Sequence, residues 1–176
     1  MTTPTIITPD TNNATANCYT DIAFATSYFA GKFGGEQWED LDVDQQTRLL
    51  ISATRRLDSE PYGGQKVAGG ALSWNRTGLV DGEGYSISST AIPVPLKNAT
   101  CEQAFYYLKE LDITMIEPGS LELFSDVEIG SIKLTTKDGV SNLLAQEARN
   151  QLKKLGQGVW LGEDSAGSAK TYSMFR

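Results

Sequence analysis

Residues 45–76 read QQTRLLISATRRLDSEPYGGQKVAGGALSWNR, and the reading of this stretch decides the fold. Leu49, Leu50, Ala53 and Leu57 recur at three- and four-residue steps, which places them on one face of a helix. Just upstream, Asp42 and Gln45 have the spacing of a capping box. Asp44 adds negative charge to the first turn, where the helix dipole favours it. The spacing predicts a helix over 43–58. Arg48, Arg55 and Arg56 fall off its apolar face, the last two near the end that favours cations. Pro61, Gly63 and Gly64 stop the helix. A glycine-rich connector then leads to Leu72, Trp74 and Arg76, where the chain rejoins the body. Trp74 is expected to pack against the first and third helices.

Three more helices are expected around this one. Ile22, Thr26, Phe29 and Phe33, with Tyr19 and Ala23, suggest a first helix over 18–33, ended by Gly34-Gly35. Pro95 suits a first helical turn. It opens a helix over 95–112 with Leu96, Ala99, Thr100, Ala104, Tyr107, Leu108 and Leu111 inward. Leu144, Ala148, Leu152 and Leu155 share a register in a last helix over 140–155, stopped by Gly156 and Gly158. LVDGEGYSI at 79–87 reads as a hairpin turning at 81–84. Residues 121–136 alternate around Gly130 as two short extended pieces or one kinked strand. The architecture is therefore mainly α, a small bundle of about four helices with a short β element. Residues 1–17, rich in Thr, Asn and Pro, read as an N-terminal arm, and 18–155 as the helical domain. Residues 156–176 read as a C-terminal docking arm, because their scattered large apolar side chains have no core of their own.

The composition narrows the chemistry. Fifteen basic and 22 acidic residues give a net charge of −7, and neither half of the chain is basic. A protein that grips duplex DNA through its phosphates shows a basic face or arm, which this balance disfavours. The chain has no histidine, which removes Ser-His-Asp and Cys-His catalysis and the usual zinc sites. Cys18 and Cys101 are expected as two reduced, half-buried thiols on helices. GGQKVAGG at 63–70 lacks the spacing of a phosphate loop. Asp40, Asp42 and Asp44 imitate a calcium loop, but Gln45 stands where glycine is needed and Ile51 where glutamate is needed. Glu36, Glu39, Asp81 and Glu83 lie on predicted turns, where solvated charge is the simpler reading. Trp38, Trp74, Trp160 and the Tyr106-Tyr107 pair have few cations among them, so packing is preferred to base stacking. No enzyme activity, cofactor or metal is expected. No apolar run is long enough for a membrane span and no secretory signal is visible, so the expected location is the cytosol or a particle assembled there.

Several features fall in one order. They are the helix text DIAFATSYFAGKF, Trp38, LLISATRRLD, Gly64 and Lys66, Leu72-Ser73-Trp74-Asn75-Arg76, and Ile92-Pro93 before LKNATCEQAFYYL. Val127, Gly130 and Leu134 follow, then Leu152-Lys153-Lys154-Leu155. Over residues 18–155 this order resembles the head–tail adaptor, or connector, family of tailed bacteriophages. Some members of that family are described as DnaT-like single-stranded DNA-binding proteins. The family pattern tends to carry proline before the arginine, where this chain has Asn75.

The resemblance implies a virion protein at the head–tail junction, assembled in the host cytoplasm. It would form a homo-oligomeric ring, a dodecamer, beneath the portal protein, with a tail-side or stopper protein at its other end. Genomic double-stranded DNA would pass through the lumen without sequence-specific binding. The implied portal-docking residues are Lys153, Lys154, Trp160, Leu161, Tyr172, Met174 and Phe175. Arg48, Arg55, Arg56, Trp74 and Arg76 are expected to be structural or at subunit contacts, with the 63–70 loop at a ring surface. The alternative is a single-stranded nucleic-acid-binding module.

Overall fold

The computed structural model describes residues 4–8, 13–113, 126–129, 132–135 and 144–156. The expected central helix is present as α3, Val43–Asp58. Its capping box is complete: the Asp42 carboxylate accepts from the Gln45 N–H at 2.8 Å, and the Gln45 side chain accepts from the Asp42 N–H at 2.9 Å. Two of the orphan amides at the helix start are thereby satisfied.

The helix before it, α1, spans Ile22–Ala30 and is shorter at both ends than the sequence pattern predicts. Asp21 is its N-cap and accepts from the Phe24 N–H at 2.8 Å. Cys18, Tyr19 and Thr20 are wholly buried in the non-helical approach to it. At the other end the chain leaves the helix at Gly31, so Phe33, expected on the apolar face, is fully exposed. A single turn, α2 (Glu36–Glu39), then places Trp38 in the core.

After α3 come two minimal strands, β1 (Gln65–Lys66) and β2 (Arg76–Thr77), paired antiparallel with Gln65 opposite Thr77. The predicted hairpin at 79–87 is present as one bridge, Val80 to Ser86, around a turn. In that turn the Asp81 carboxylate accepts from the Glu83 and Tyr85 amides. Further along, β3 (Asp126–Ile129) and β4 (Ile132–Thr135) pair antiparallel with Ile129 opposite Ile132. The 121–136 segment therefore contains two strands, not one kinked strand.

The long helix α4, Val94–Ile113, is the centre of the bundle. Residues 99–105 are buried without a break, so this helix is enclosed all round in its middle and not only on the predicted face. On one side Leu96 and Ala99 join Leu57, Trp74, Leu79 and the last helix, α5 (Gln146–Lys153), through Ala148 and Leu152. On the other side Cys101, Ala104 and Phe105 join Ala25, Phe29, Trp38, Leu49, Leu50 and Ala53. The Gln103 side chain accepts from the Ala145 N–H at 2.8 Å, which fixes the start of α5 against α4. Leu144 and Ala145 are buried but precede the helix. The expected positions 140–143 lie outside the described residues.

The segment before α1 is tied to the body. Asn17 Oδ1 accepts from the Ile7 N–H, Asn17 Nδ2 donates to the Thr5 carbonyl, and Ala71 N–H donates to the Asn13 carbonyl. Ala16 is part of the core.

Candidate interaction surfaces

The connector was the first candidate from the sequence, and the structure shows what each of its residues does. Asp58, at the end of α3, is its hub. Its carboxylate accepts from the Tyr19 hydroxyl and from the Ser73 N–H at 2.6 Å, and its carbonyl accepts from the Ser73 hydroxyl at 3.0 Å. The Trp74 N–H donates to the Tyr19 oxygen at 3.3 Å. Trp74 is completely buried, edge-on to Tyr62 with ring centroids 5.4 Å apart. Its apolar cluster contains Leu96 and Ala99 of α4, the third long helix, and residues of α5. The helical residues of α1 belong to the other cluster, so of the expected first-helix segment only Tyr19 shares the one that holds Trp74. Among the described residues its indole N–H has no hydrogen-bond partner.

Arg76 reaches back across the loop to three backbone oxygens. Its Nε donates to the Gly63 carbonyl, its Nη1 to Ser73 at 2.9 Å, and its Nη2 to Gly64 at 3.2 Å. A planar fork suits such a set, which an ammonium could not reproduce. Gly64 has φ +67°, and a Cβ there would lie 2.4 Å from the Thr77 carbonyl oxygen. The connector is thus a pinned loop, with Trp74 and Arg76 turned inward to hold it. Gln65 and Lys66 remain exposed at its outer edge.

The three arginines of α3 divide. Arg56 donates to the Glu60 carboxylate and to the Ser59 hydroxyl. Arg48 and Arg55 are exposed, as is Ser52 between them. Seven residues of helix separate the two cations by about 10.5 Å along the axis. Lys153 and Lys154 are exposed at the end of α5, Lys154 donating to the Gln151 side chain at 3.0 Å. Trp160, Leu161, Tyr172, Met174 and Phe175 lie outside the described residues.

The sequence reading missed one surface, the corner from Gly31 to Val43. Phe33 stands fully exposed on it, Val43 is 60% exposed, and Glu36, Glu39 and Asp40 are exposed as well. The corner is firmly held from beneath. Lys32 pairs with Glu102 of α4 at 2.7 Å, and the Tyr28 hydroxyl donates to the same carboxylate at 2.5 Å. The Lys32 and Lys109 ammonium groups lie over the Phe105 ring at 5.0 and 4.5 Å. The Trp38 indole donates to Thr26 Oγ1 at 3.2 Å, and the Gln46 amide donates to the Trp38 carbonyl at 3.0 Å. A Cβ on Gly35 would lie 2.0 Å from the Phe29 carbonyl oxygen, so only glycine permits this turn. The three glycines that bracket Phe33 were the available sequence signal.

The other aromatics among the described residues are buried or half-buried, Tyr85 excepted. Trp38, Phe29 and Phe105 stack in the core, with Phe29 to Trp38 centroids 4.8 Å apart. The Tyr106 and Tyr107 rings pack against each other at 6.1 Å and are half-buried. Tyr85 is exposed beside Asp81 and Glu83 of the 81–84 turn. Both cysteines are free and fully buried. Loss of solvation pushes the Cys18 thiol up, partly offset by a hydrogen bond from Thr54. Burial, with Cys18 nearby, pushes Cys101 up further. Such thiols are held neutral and unreactive. Among the described residues no group of three or more Cys, Asp or Glu side chains is placed to hold a metal ion, and no helix is long and apolar enough to cross a membrane.

These features define a small, mainly helical protein whose exposed chemistry lies on a pinned loop, an arginine-bearing helix face and an acidic corner with one bare aromatic. The chain belongs to the family described as "putative DnaT-like ssDNA binding protein", whose model matches residues 4–171. No curated protein and no solved structure matches it.

Proposed function

We propose that this protein is a structural adaptor of a tailed phage, a ring subunit that joins the portal to the tail and leaves a passage for DNA. The observation that carries this reading is the inward placement of the aromatics combined with a net charge of −7. A single-strand-binding surface needs accessible rings interleaved with cations. Here Trp38, Trp74, Phe29 and Phe105 are spent on the core, and the exposed Phe33 and Tyr85 lie in stretches of sequence with more acids than cations. An acidic subunit is a poor glue for DNA, which suits a conduit through which DNA must slide. The exposed Lys153 and Lys154, with the apolar residues of 160–175, are the surface proposed to dock on the portal.

The second reading is single-stranded DNA binding, and the family's description together with exposed Arg48 and Arg55 favours it. One pair of experiments separates them. Fluorescence anisotropy with a labelled oligonucleotide at low salt is expected to show no tight binding. Mixing with purified portal is expected to give a complex that migrates larger than either component. Tight, salt-sensitive oligonucleotide binding without portal association would overturn the adaptor reading in favour of the second.

A further inference from the structure

We propose that the corner carrying Phe33 is a docking knob that seats on the α3 arginine stripe of a second copy of this chain. The inference rests on the reading of the protein as a self-assembling adaptor and names the contact that would build the assembly. Phe33 is fully exposed on a turn held by glycine geometry, a buried tryptophan and an ion pair. An aromatic presented in a fixed position loses little freedom on binding, and such residues dominate interface energetics. Glu36 and Glu39, both exposed, accompany it.

The complementary surface is on α3. Arg48 and Arg55 flank Ser52, all three exposed. The small serine leaves a notch between two long side chains, about 10.5 Å apart along the helix axis. A phenyl ring fits between their stems with guanidinium groups against its faces, while the two glutamates meet the same cations at the rim. Nucleic acid would match the arginines but not the acidic corner, and a basic partner would match the corner but not the arginines. A second copy matches both at once. The contact joins two different patches, so each subunit has one knob and one stripe, and copies add head to tail until a ring closes.

The test uses the full-length chain in sedimentation velocity over a wide concentration range. Wild type is expected to assemble, and Phe33→Ser is expected to weaken assembly at least tenfold. The double variants R48E/R55E and E36R/E39R are each expected to be monomeric and folded, with wild-type helix content and only a small drop in melting temperature from charges turned against the helix dipoles, because every altered side chain is exposed. Mixed together, they are expected to assemble again, since the acidic knob of R48E/R55E meets the basic stripe of E36R/E39R, and the basic knob of E36R/E39R meets the acidic stripe of R48E/R55E. A wild type that stays monomeric, assembly that survives both charge reversals, or a mixture that stays monomeric overturns the contact. The adaptor reading stands or falls separately, on the portal-binding experiment.

Discussion

Replacing Trp74 with alanine removes the largest apolar group in the cluster between α4, α5 and the connector. The side chain is completely buried. Truncations of buried Phe or Trp to Ala cost about 3–5 kcal/mol. The edge-on contact with Tyr62 accounts for about 0.5–1.5 kcal/mol of that kind of loss. One term opposes it: the indole N–H has no partner among the described residues, and a buried unpaired donor costs about 1–3 kcal/mol, which alanine relieves. The net expectation is a loss of about 3 kcal/mol. At roughly 2–4 °C per kcal/mol for a chain of this size, Tm falls by about 6–12 °C. Trp74→Phe separates the two terms. It keeps a ring against Tyr62 and discards the unpaired N–H, so it is expected to cost less than about 1.5 kcal/mol. Urea and thermal unfolding followed by circular dichroism measure both. The reasoning is refuted if the alanine variant lies within about 1 kcal/mol of wild type, or if phenylalanine costs as much as alanine.

Four further outcomes are expected. Arg76→Lys is expected to lose about as much stability as Arg76→Ala, because no ammonium spans the Gly63, Gly64 and Ser73 carbonyls; a lysine variant as stable as wild type contradicts the clamp. Asp42→Ala is expected to cost about 1 kcal/mol in a urea titration through loss of the α3 cap. Neither cysteine is expected to react with a thiol reagent such as Ellman's in the native protein, and both are expected to react once urea unfolds it. The folded state holds Tyr19, Tyr28 and Tyr62 above their ordinary value by burial. Unfolded tyrosines ionise near about pH 10. Their contribution is therefore complete below that pH and declines as pH rises beyond it, so melting temperature is expected to drop in alkaline buffer, and less so in Tyr19→Phe.

Local signals in the sequence translated directly. The Asp42–Gln45 cap and the breaker at Pro61 needed only near neighbours, so α3 lies where the spacing puts it. At α1 two local signals competed. Apolar periodicity ran back to Cys18, but Asp21 capped the helix and left three buried residues outside it. Periodicity also pointed Phe33 inward, where the glycines turned it to solvent. The enclosure of α4 was not legible. Glu102 and Gln103 are not on the face that apolar periodicity picks out, and their partners are Lys32, 70 positions earlier, and Ala145, 42 positions later. The roles of Trp74 and Arg76 as inward anchors likewise depend on Tyr19, Asp58 and Gly63, which no period connects.

The enclosure of α4 also governs how distant parts of the molecule are joined. Its middle turns have no outward face, and the two apolar clusters close on this one helix from opposite sides. The corner at Phe33 is joined through Lys32 to Glu102, and the next residue of the same helix, Gln103, is joined to Ala145 at the start of α5. Each joint on that route is an ion pair or hydrogen bond anchored to one rigid rod. A body built this way ties the Phe33 corner to the start of α5 through a single enclosed helix.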